Sequence, residues 1–480
     1  MYICKLMIVN FSRLDFQYIT TNQIPMKRHN IIVFLFFLVF GTIEGGISAQ
    51  PYIRWNAITW QSTKSLVQDW RTGNAIGYME DPTGDGYFFL KGNGILVTRA
   101  AFPSGITVND FRINNDSVFF CGVDNTSSHG IVGFFDIASL FAGTGSFNYS
   151  TLNTSVSTPT SLHFDPYPKR MDLFTFGGST HIAFVGDMLI TNSSSGTTAT
   201  STIGCAYWDG TNWNMDFHIN SVGNLKYTDI AASCSYVAAV ATNGSPDYLV
   251  QVFKLSNDFV TTPLNFGNVF QVSSFAPLGD ILLDDISATD FVLAYHYNDG
   301  GVPCTKLQQF RVIPATMTIA LQLTLLTPLG MASPHYSSSG AMKRLCYDNS
   351  VPRILLLQDA ITTTVPSVES SIFSYTPSGI ATGHVDVSYF PGTVLDRMDV
   401  KTTGGYWATG NEGGLLSIAS ENIPSIPATP CHEGYQLDCD IVTETLTIRN
   451  YSFTANPFLR STTTKATSLE YEELLVRCEE

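Results

Sequence analysis

Short hydrophobic runs recur along this chain, and each is introduced by a charged residue that directly precedes a large apolar one. A second apolar run follows each pair within about six residues, which is typical of paired β-strands. The seven pairs are Asp69-Trp70, Asp110-Phe111, Arg170-Met171, Asp229-Ile230, Asp285-Ile286, Arg344-Leu345 and Arg397-Met398. Their spacing of about 40 to 60 residues is typical of a propeller, solenoid or repeat array.

Each repeat unit consists of apolar runs short enough to be strands. After Asp110-Phe111, the runs Ser117–Gly122 and Gly130–Phe135 are rich in Val, Ile and Phe and are separated by turn residues. The turn Trp208–Trp213 contains Asp-Gly, a pair that favours tight hairpins. The sequence therefore predicts an all-β fold, a β-propeller of seven four-stranded blades over residues 50–430.

The two ends of the repeat region predict how the ring closes. The last unit offers only three strands, Asp396–Thr402, Tyr406–Gly410 and Leu415–Ser420. A strand-like run without a unit of its own, Tyr52–Trp60, begins the repeat region. We expect this run to form the outer strand of the seventh blade. A six-bladed ring with an N-terminal extension is the alternative, because the first copy of the repeat matches the others least.

One stretch of the chain resembles a known group of proteins. The phrase Val108–Gly122, followed by Gly130–Phe135, is similar to a blade phrase in uncharacterised exported β-propeller-like proteins of anaerobic gut-type bacteria. The resemblance covers one or two blades. It implies export and a propeller fold, and it brings no activity with it.

The N-terminal region has the pattern of a secretory signal. Met26–His29 carries positive charge, Ile31–Phe40 is an unbroken apolar run, and small residues lead to Ala49. We therefore expect residues 1–49, an upstream extension and a signal peptide, to be removed on export to the periplasm, the cell surface or the medium. No later run is long enough to predict a membrane span.

Charge and composition limit the partners. The formal net charge is −15, whereas binding to nucleic acid requires a basic surface, so nucleic acid is excluded. The histidines and cysteines show no metal-ligand spacing, and the sequence predicts neither a metal nor a cofactor. A protein or a glycan remains as the expected ligand, and no pattern indicates the oligomeric state.

Residues 431–480 form a C-terminal tail with strand-like segments, Ile441–Arg449 and Leu469–Cys478. Two interpretations remain open, since the tail can pack on the ring or be the stub of an attachment module. An exported protein is free to form disulfides. Cys431 and Cys439 are the candidate pair, because a short loop would join them.

The charged members of the seven pairs define a candidate site. In a propeller the first strand of each blade lines the central channel, so these residues are expected to form a ring. The ring consists of Asp69, Asp110, Arg170, Asp229, Asp285, Arg344 and Arg397. It is either a set of ion pairs between blades, with Arg397 meeting Asp69 across the closure, or the mouth of a ligand site.

The sequence as a whole predicts an exported, non-enzymatic binding or scaffold propeller. Trp208 and Trp213 flank a turn and are candidates for stacking on sugar rings. The alternative is a carbohydrate-active enzyme of the propeller type that draws its acids from Asp69, Asp110, Asp229 and Asp285. An enzyme would need at least two carboxylates that are free of arginine partners and face an open site.

Overall fold

Antiparallel strands account for most of the chain that the computed structural model describes. The described residues are 52–71, 73–92, 96–156, 162–219, 226–242, 248–254, 268–271, 281–315, 318–329, 338–361, 368–421, 433–443, 447–450, 454–455, 459–461, 463–466, 469–473 and 475–476. They belong to one compact unit, Ala49–Glu480. Their strands form seven sheets arranged in a ring, so the molecule is a seven-bladed β-propeller.

The blades are formed by strands that follow one another along the chain, and the first described strand is β1 (Tyr52–Gln61). Blades 1 and 2 contain β2 (Lys64–Arg71), β3 (Asn74–Glu80), β4 (Gly86–Lys91), β5 (Leu96–Ala101), β6 (Ile106–Asn114), β7 (Ser117–Asp124), β8 (His129–Asp136) and β9 (Ser146–Thr151). Blades 3 and 4 contain β10 (Thr154–Val156), β11 (Leu162–Phe176), β12 (Ser179–Asn192), β13 (Gly196–Trp208), β14 (Trp213–Ile219), β15 (Lys226–Ala232), β16 (Tyr236–Thr242), β17 (Tyr248–Lys254) and β18 (Asn268–Gln271).

The remaining blades follow the same plan. Blade 5 begins at β19 and blade 6 at β23, and blade 7 contains β27, β28 and β29. Their strands are β19 (Leu282–Asp285), β20 (Asp290–Asp299), β21 (Val302–Ile313), β22 (Thr318–Pro328), β23 (Ser338–Asp348), β24 (Arg353–Ile361), β25 (Val368–Tyr375), β26 (His384–Phe390), β27 (Val394–Val400), β28 (Tyr406–Glu412) and β29 (Leu415–Glu421). Among the described residues, the short helices α1 (Ile137–Phe141) and α2 (Pro377–Thr382) lie in blades 2 and 6.

The closure of the ring agrees with the sequence prediction. Strand β1 pairs antiparallel with β29, from Tyr52 opposite Glu421 to Asn56 opposite Ser417, and so becomes the fourth strand of blade 7. The seven-bladed prediction is confirmed, and the six-bladed alternative is wrong.

A fifth strand on every blade is the feature that the sequence did not predict. After blade 7 the described part of the chain forms eight short strands, each paired antiparallel with the outer strand of a blade. They are β30 (Glu433–Asp438), β31 (Asp440–Ile441), β32 (Thr447–Asn450), β33 (Thr454–Ala455), β34 (Leu459–Ser461), β35 (Thr463–Ala466), β36 (Leu469–Glu473) and β37 (Leu475–Val476). We call these strands the C-terminal belt.

The belt visits the blades in the order 6, 5, 4, 3, 2, 1 and 7, which is the reverse of the chain's first passage. Strand geometry explains this order. Successive strands of a blade twist by about 20° each, so the outermost strand is turned well away from the inner one and toward the circumference. Each outer strand leads the chain onward to the next blade, and a segment antiparallel to all of them must therefore travel backwards.

The hydrophobic core lies between the blades. Each junction of neighbouring blades in the described chain holds its own cluster of buried side chains. In the junction of blades 1 and 2, for example, the ring of Phe88 packs edge-on against Phe111 and Phe135, with centroids 5.5 and 4.7 Å apart. This packing places the inner strands around a common axis, where the candidate site lies.

Candidate functional site on the axis of the ring

A β-bulge interrupts the inner strand directly before the predicted ring residue in blades 2, 3, 4, 6 and 7. The extra residues are Asn109, Lys169, Thr228, Lys343 and Asp396. A bulge bends its strand and re-aims the side chains that follow it. The bulged backbone also comes close to the second strand, where a Cβ on Gly122 would lie 2.0 Å from the carbonyl oxygen of Thr107.

The buried apolar residue of each inner strand shows which positions are equivalent. In the five bulged blades it is the anchor that the sequence predicted, and each of these anchors is at most 1% exposed. In blades 1 and 5 the fully buried residues are Val67 and Leu283, whereas the predicted anchors Trp70 and Ile286 are only half-buried. The predicted alignment is therefore wrong by three residues in these two blades.

Two tiers of side chains flank the buried anchors. We call the residue before each anchor the first tier and the residue after it the second tier. The first tier consists of Leu66, Asp110, Arg170, Asp229, Leu282, Arg344 and Arg397. The second tier consists of Gln68, Arg112, Asp172, Ala231, Asp284, Cys346 and Asp399. The predicted ring of seven charges is thus five charges and two leucines, and Asp69 and Asp285 lie one residue beyond the second tier.

Hydrogen bonds between neighbouring inner strands support this alignment in the first tier. The carboxylate of Asp110 accepts a hydrogen bond of 3.1 Å from the backbone N–H of Met171 in the next blade. In the same way, Asp229 accepts one of 2.9 Å from the N–H of Leu283. Leu283 therefore occupies the position of Met171, although its own blade has no charged residue in front of it.

Second-tier aspartates form an equivalent set of bonds one residue further along. Asp172 accepts from the N–H of Ala232 at 2.8 Å, and Asp284 accepts from that of Tyr347 at 2.9 Å. Asp399 accepts from the N–H of Asp69 at 2.8 Å, across the closure of the ring. Each bond ties one blade to the next, so these carboxylates contribute to the register of the ring.

Asp110 is the centre of the direct ion pairs. Its Oδ1 lies 2.6 Å from Nη2 of Arg397 and 3.1 Å from Nη1 of Arg112. Nε of Arg112 also lies 3.2 Å from Oδ1 of Asp172. Burial alone would raise the pKa of Asp110, but the guanidinium groups of Arg112 and Arg397 hold this pKa well below its ordinary value.

The predicted pairing of Arg397 with Asp69 is wrong. Blade 1 places Leu66 in the first tier, so Arg397 of blade 7 extends past blade 1 and pairs with Asp110 of blade 2. Asp69 instead accepts hydrogen bonds from the N–H of Thr402 at 2.9 Å and from Nε1 of Trp407 at 3.0 Å. Burial raises the pKa of Asp69 to about 6, although these hydrogen bonds oppose the shift.

Arg344 lies among several carboxylates without a direct ion pair in the described chain. The charges of Asp284, Asp110 and Asp229 all act on its guanidinium group, yet none of them lies within the 4.0 Å limit of a salt bridge. Its side chain is 5% exposed, and its Nε has no hydrogen-bond partner among the described residues. Arg170 is half-buried, and its charge acts on Asp110 and Asp229.

The second tier and the residues just beyond it form an acidic opening. We call this set the acidic mouth: Asp69, Asp172, Asp284, Asp285 and Asp399. All five are partly exposed, whereas Asp110 and Asp229 of the first tier are buried. Asp284 and Asp285 are neighbours on β19 and form no ion pair within the described residues. Burial raises the pKa of both, and the charge of Asp284 raises that of Asp285 further.

A neutral amide belongs to the same tier. Gln68 is 6% exposed, and its Nε2 has no hydrogen-bond partner among the described residues. A buried amide N–H without an acceptor carries a desolvation cost of about 1–3 kcal/mol. Gln68 and Arg344 therefore leave two buried donor groups for an acceptor that the described chain does not supply.

The tryptophans predicted to stack on sugars lie away from this axis. Trp213 is fully buried between blades 2 and 3, where its Nε1 donates to Oδ1 of Asn148 at 3.0 Å. It offers no ring face to a ligand, and that prediction is wrong for Trp213. Trp208 is half-buried and packs on Phe134, with ring centroids 6.0 Å apart.

The candidate disulfide stays a prediction. Cys439 is buried directly after β30, and its backbone N–H donates to the carbonyl of Gly383 at 2.8 Å. Its proposed partner, Cys431, lies outside the described residues. No group of three or more His, Cys, Asp or Glu is arranged to hold a metal ion in the part of the chain that the structure describes.

The second tier is the part of the site that sequence reasoning missed. Arg112, Asp172 and Asp399 stand two residues after a predicted ring residue, so strand alternation would have placed them beside it. Asp284 was not recognised because the repeat in its blade was aligned on Asp285-Ile286. Gln68 carries no charge, and no sequence signal distinguishes it.

Comparisons with known proteins assign no function to this site. No protein-family model matches the chain, and no curated protein is similar to it. The described residues contain no helix with the length and apolar character to cross a bilayer.

Proposed function

We propose that this chain is an exported, non-enzymatic binding or scaffold propeller that recognises a protein or glycan ligand at the acidic mouth. The seven-bladed fold is compatible with such a role, but propellers serve many functions, so the side chains of the site must support it. The export part rests on the signal-like sequence of residues 1–49 and on the resemblance of one or two blades to exported propellers.

One observation carries the proposal, namely the adjacent carboxylates of Asp284 and Asp285. They are partly buried, they repel each other, and no described cation lies within ion-pair distance of either of them, although Asp284 accepts the hydrogen bond from Tyr347 and the charge of Arg344 acts on it. Such a pair costs folding free energy, since burial disfavours both charges. Electrostatic costs of this kind are concentrated at functional sites, where a ligand supplies the missing partner.

The enzyme alternative receives less support from the same side chains. Asp110 is engaged by two arginines, and Asp69 and Asp229 accept backbone hydrogen bonds from neighbouring blades. Asp284 likewise accepts a backbone hydrogen bond from the neighbouring blade, and it is adjacent to Asp285 on one strand. A pair of glycosidase carboxylates must instead flank one bond.

The test is a panel of polysaccharides and glycoproteins incubated with the purified protein, with retention and released sugar scored on the same samples. We expect retention of at least one panel member and no released sugar. A matched pair of variants locates the site, D284N/D285N at the mouth and D438N/D440N at two exposed carboxylates of the belt. Released sugar would overturn the proposal, and so would a failure to bind both the panel and short basic peptides.

A further inference from the structure

We infer that the ligand of the acidic mouth is a protein segment that inserts a basic side chain, lysine or arginine, between Asp284 and the surrounding second-tier carboxylates. This inference rests on the proposed function and specifies its ligand class. The charge of the opening gives the first reason, because the partly exposed charged residues of the second tier and of the positions just beyond it are all aspartates, whereas Arg112 of that tier is buried and paired with Asp110 and Asp172.

The buried donors give the second, independent reason. Nε2 of Gln68 and Nε of Arg344 are both unpartnered in the described chain, and both belong to side chains that are more than nine-tenths buried. Gln68 shares the second tier with Asp284, and the charge of Asp284 acts on Arg344, so both donors require acceptor oxygens in the tiers where the carboxylates lie. A peptide supplies both, since its backbone carbonyls accept hydrogen bonds and its basic side chain carries the charge.

The aromatic residues nearest the mouth favour a peptide over a sugar. Sugar rings are bound largely by stacking on open aromatic faces, but cations already cover the faces near this end of the axis. The guanidinium of Arg71 lies 4.6 Å from the centroid of the Trp70 ring, and the Lys401 ammonium lies 4.6 Å from that of Trp407. The mouth therefore presents carboxylates rather than a stacking platform.

Fluorescently labelled tetralysine and tetraarginine peptides, with neutral tetracitrulline as the control probe, test the inference on the full chain by anisotropy titration. We expect the basic peptides to bind and the citrulline peptide not to bind. D284N/D285N should weaken binding at least about tenfold, because a desolvated charge partner is lost. D438N/D440N changes the net charge equally and should leave the affinity unchanged. Q68L should weaken binding several-fold.

Each other outcome is decisive. Equal weakening by the two double variants would show non-specific charge attraction and would overturn the inference. So would panel retention that survives D284N/D285N while no basic peptide binds, although a binding function at another surface would then stand. If neither the panel nor the peptides are retained, the proposed function itself fails. Thermal unfolding of each variant verifies that the loss of binding does not reflect loss of the fold.

Discussion

At the residue scale, the same residue type serves opposite purposes at two positions on the axis. Asp110 is fully buried but engaged by Arg112 and Arg397, so its charge supports the fold. Asp285 is partly buried beside another carboxylate and has no described ion pair, so its charge opposes folding. The two aspartates therefore predict stability changes of opposite sign.

For D110N we expect a loss of about 3 kcal/mol or more in the free energy of unfolding at pH 7, because two arginines lose their buried partner. The pKa of Asp110 is lowered in the fold, so its contribution is present above the unfolded-state pKa. It is lost as the pH falls through the folded-state pKa. Urea unfolding between pH 2 and 7 follows the onset of this loss below the unfolded-state pKa, and an unchanged stability of D110N at pH 7 would contradict the prediction.

For D285N we expect the free energy of unfolding to rise by about 1 kcal/mol or more at pH 8, relative to the wild-type. The pKa of Asp285 is raised in the fold, so the wild-type loses stability as the pH rises from the unfolded-state value through the folded-state value. The variant should lack this part of the pH dependence. The same unfolding series, run from pH 4 to 8, measures it. A variant less stable than wild-type at pH 8 would show that the carboxylate has a structural partner.

Glycine opposite the bulge gives another residue-scale prediction. G122A places a methyl group 2.0 Å from the carbonyl oxygen of Thr107, so the bulge must move. We expect G122A to lower the free energy of unfolding by about 1–3 kcal/mol, as at other overpacked sites. Blade 4 carries Ala241 at the equivalent position, opposite Tyr227, and A241G is the matched control with a smaller effect. A thermal melt that does not distinguish G122A from wild-type would contradict this account of the bulge.

At the element scale, the belt changes what each blade exposes. Without it the outer strand of every blade would present unpaired backbone groups, which invite pairing with other chains. The belt covers these edges to different extents, with six residues on blade 6 and two on blade 5. Because it is one continuous segment, it also links all seven blades along their outer strands.

Stepwise truncation of the belt tests this role. A chain that ends at Val476 keeps every described belt strand and serves as the control. Chains that end at 474, 467 and 446 remove the fifth strand first from blade 7, then also from blade 1, and finally also from blades 2, 3 and 4. We expect the melting temperature to fall and aggregation to rise at each step. Truncations that melt and aggregate like the control would show that the belt is dispensable.

At the scale of the whole molecule, the repeat in the sequence was sufficient to predict the ring, its seven blades and its closure by β1. The period survives in five blades because the bulge keeps a charged residue in front of a buried anchor. In blades 1 and 5 the repeat was aligned on the wrong residues. The first-tier residues there are Leu66 and Leu282, and a later pair of an aspartate and an apolar residue matches the repeat pattern.

The belt and the acidic mouth lay beyond local sequence patterns for a common reason. The strand character of Ile441 is visible in its own segment, but its partner, Leu325, is determined by the path of the chain around the ring. The mouth likewise depends on which side chains of different blades meet at the axis. Sequence alternation predicts strands, whereas only the assembled ring shows which charges remain without partners.

The central claim is that Asp284 and Asp285 bind a basic ligand and lower the stability of the free protein. Thermal unfolding with and without tetralysine at pH 7.5 tests both the binding and the destabilisation. Ligand that binds only the folded state raises the melting temperature. The account predicts that tetralysine stabilises the wild-type, and that D284N/D285N melts higher than the wild-type when free and is not shifted by the peptide. A double variant that melts lower when free, or that responds to tetralysine as the wild-type does, would contradict it.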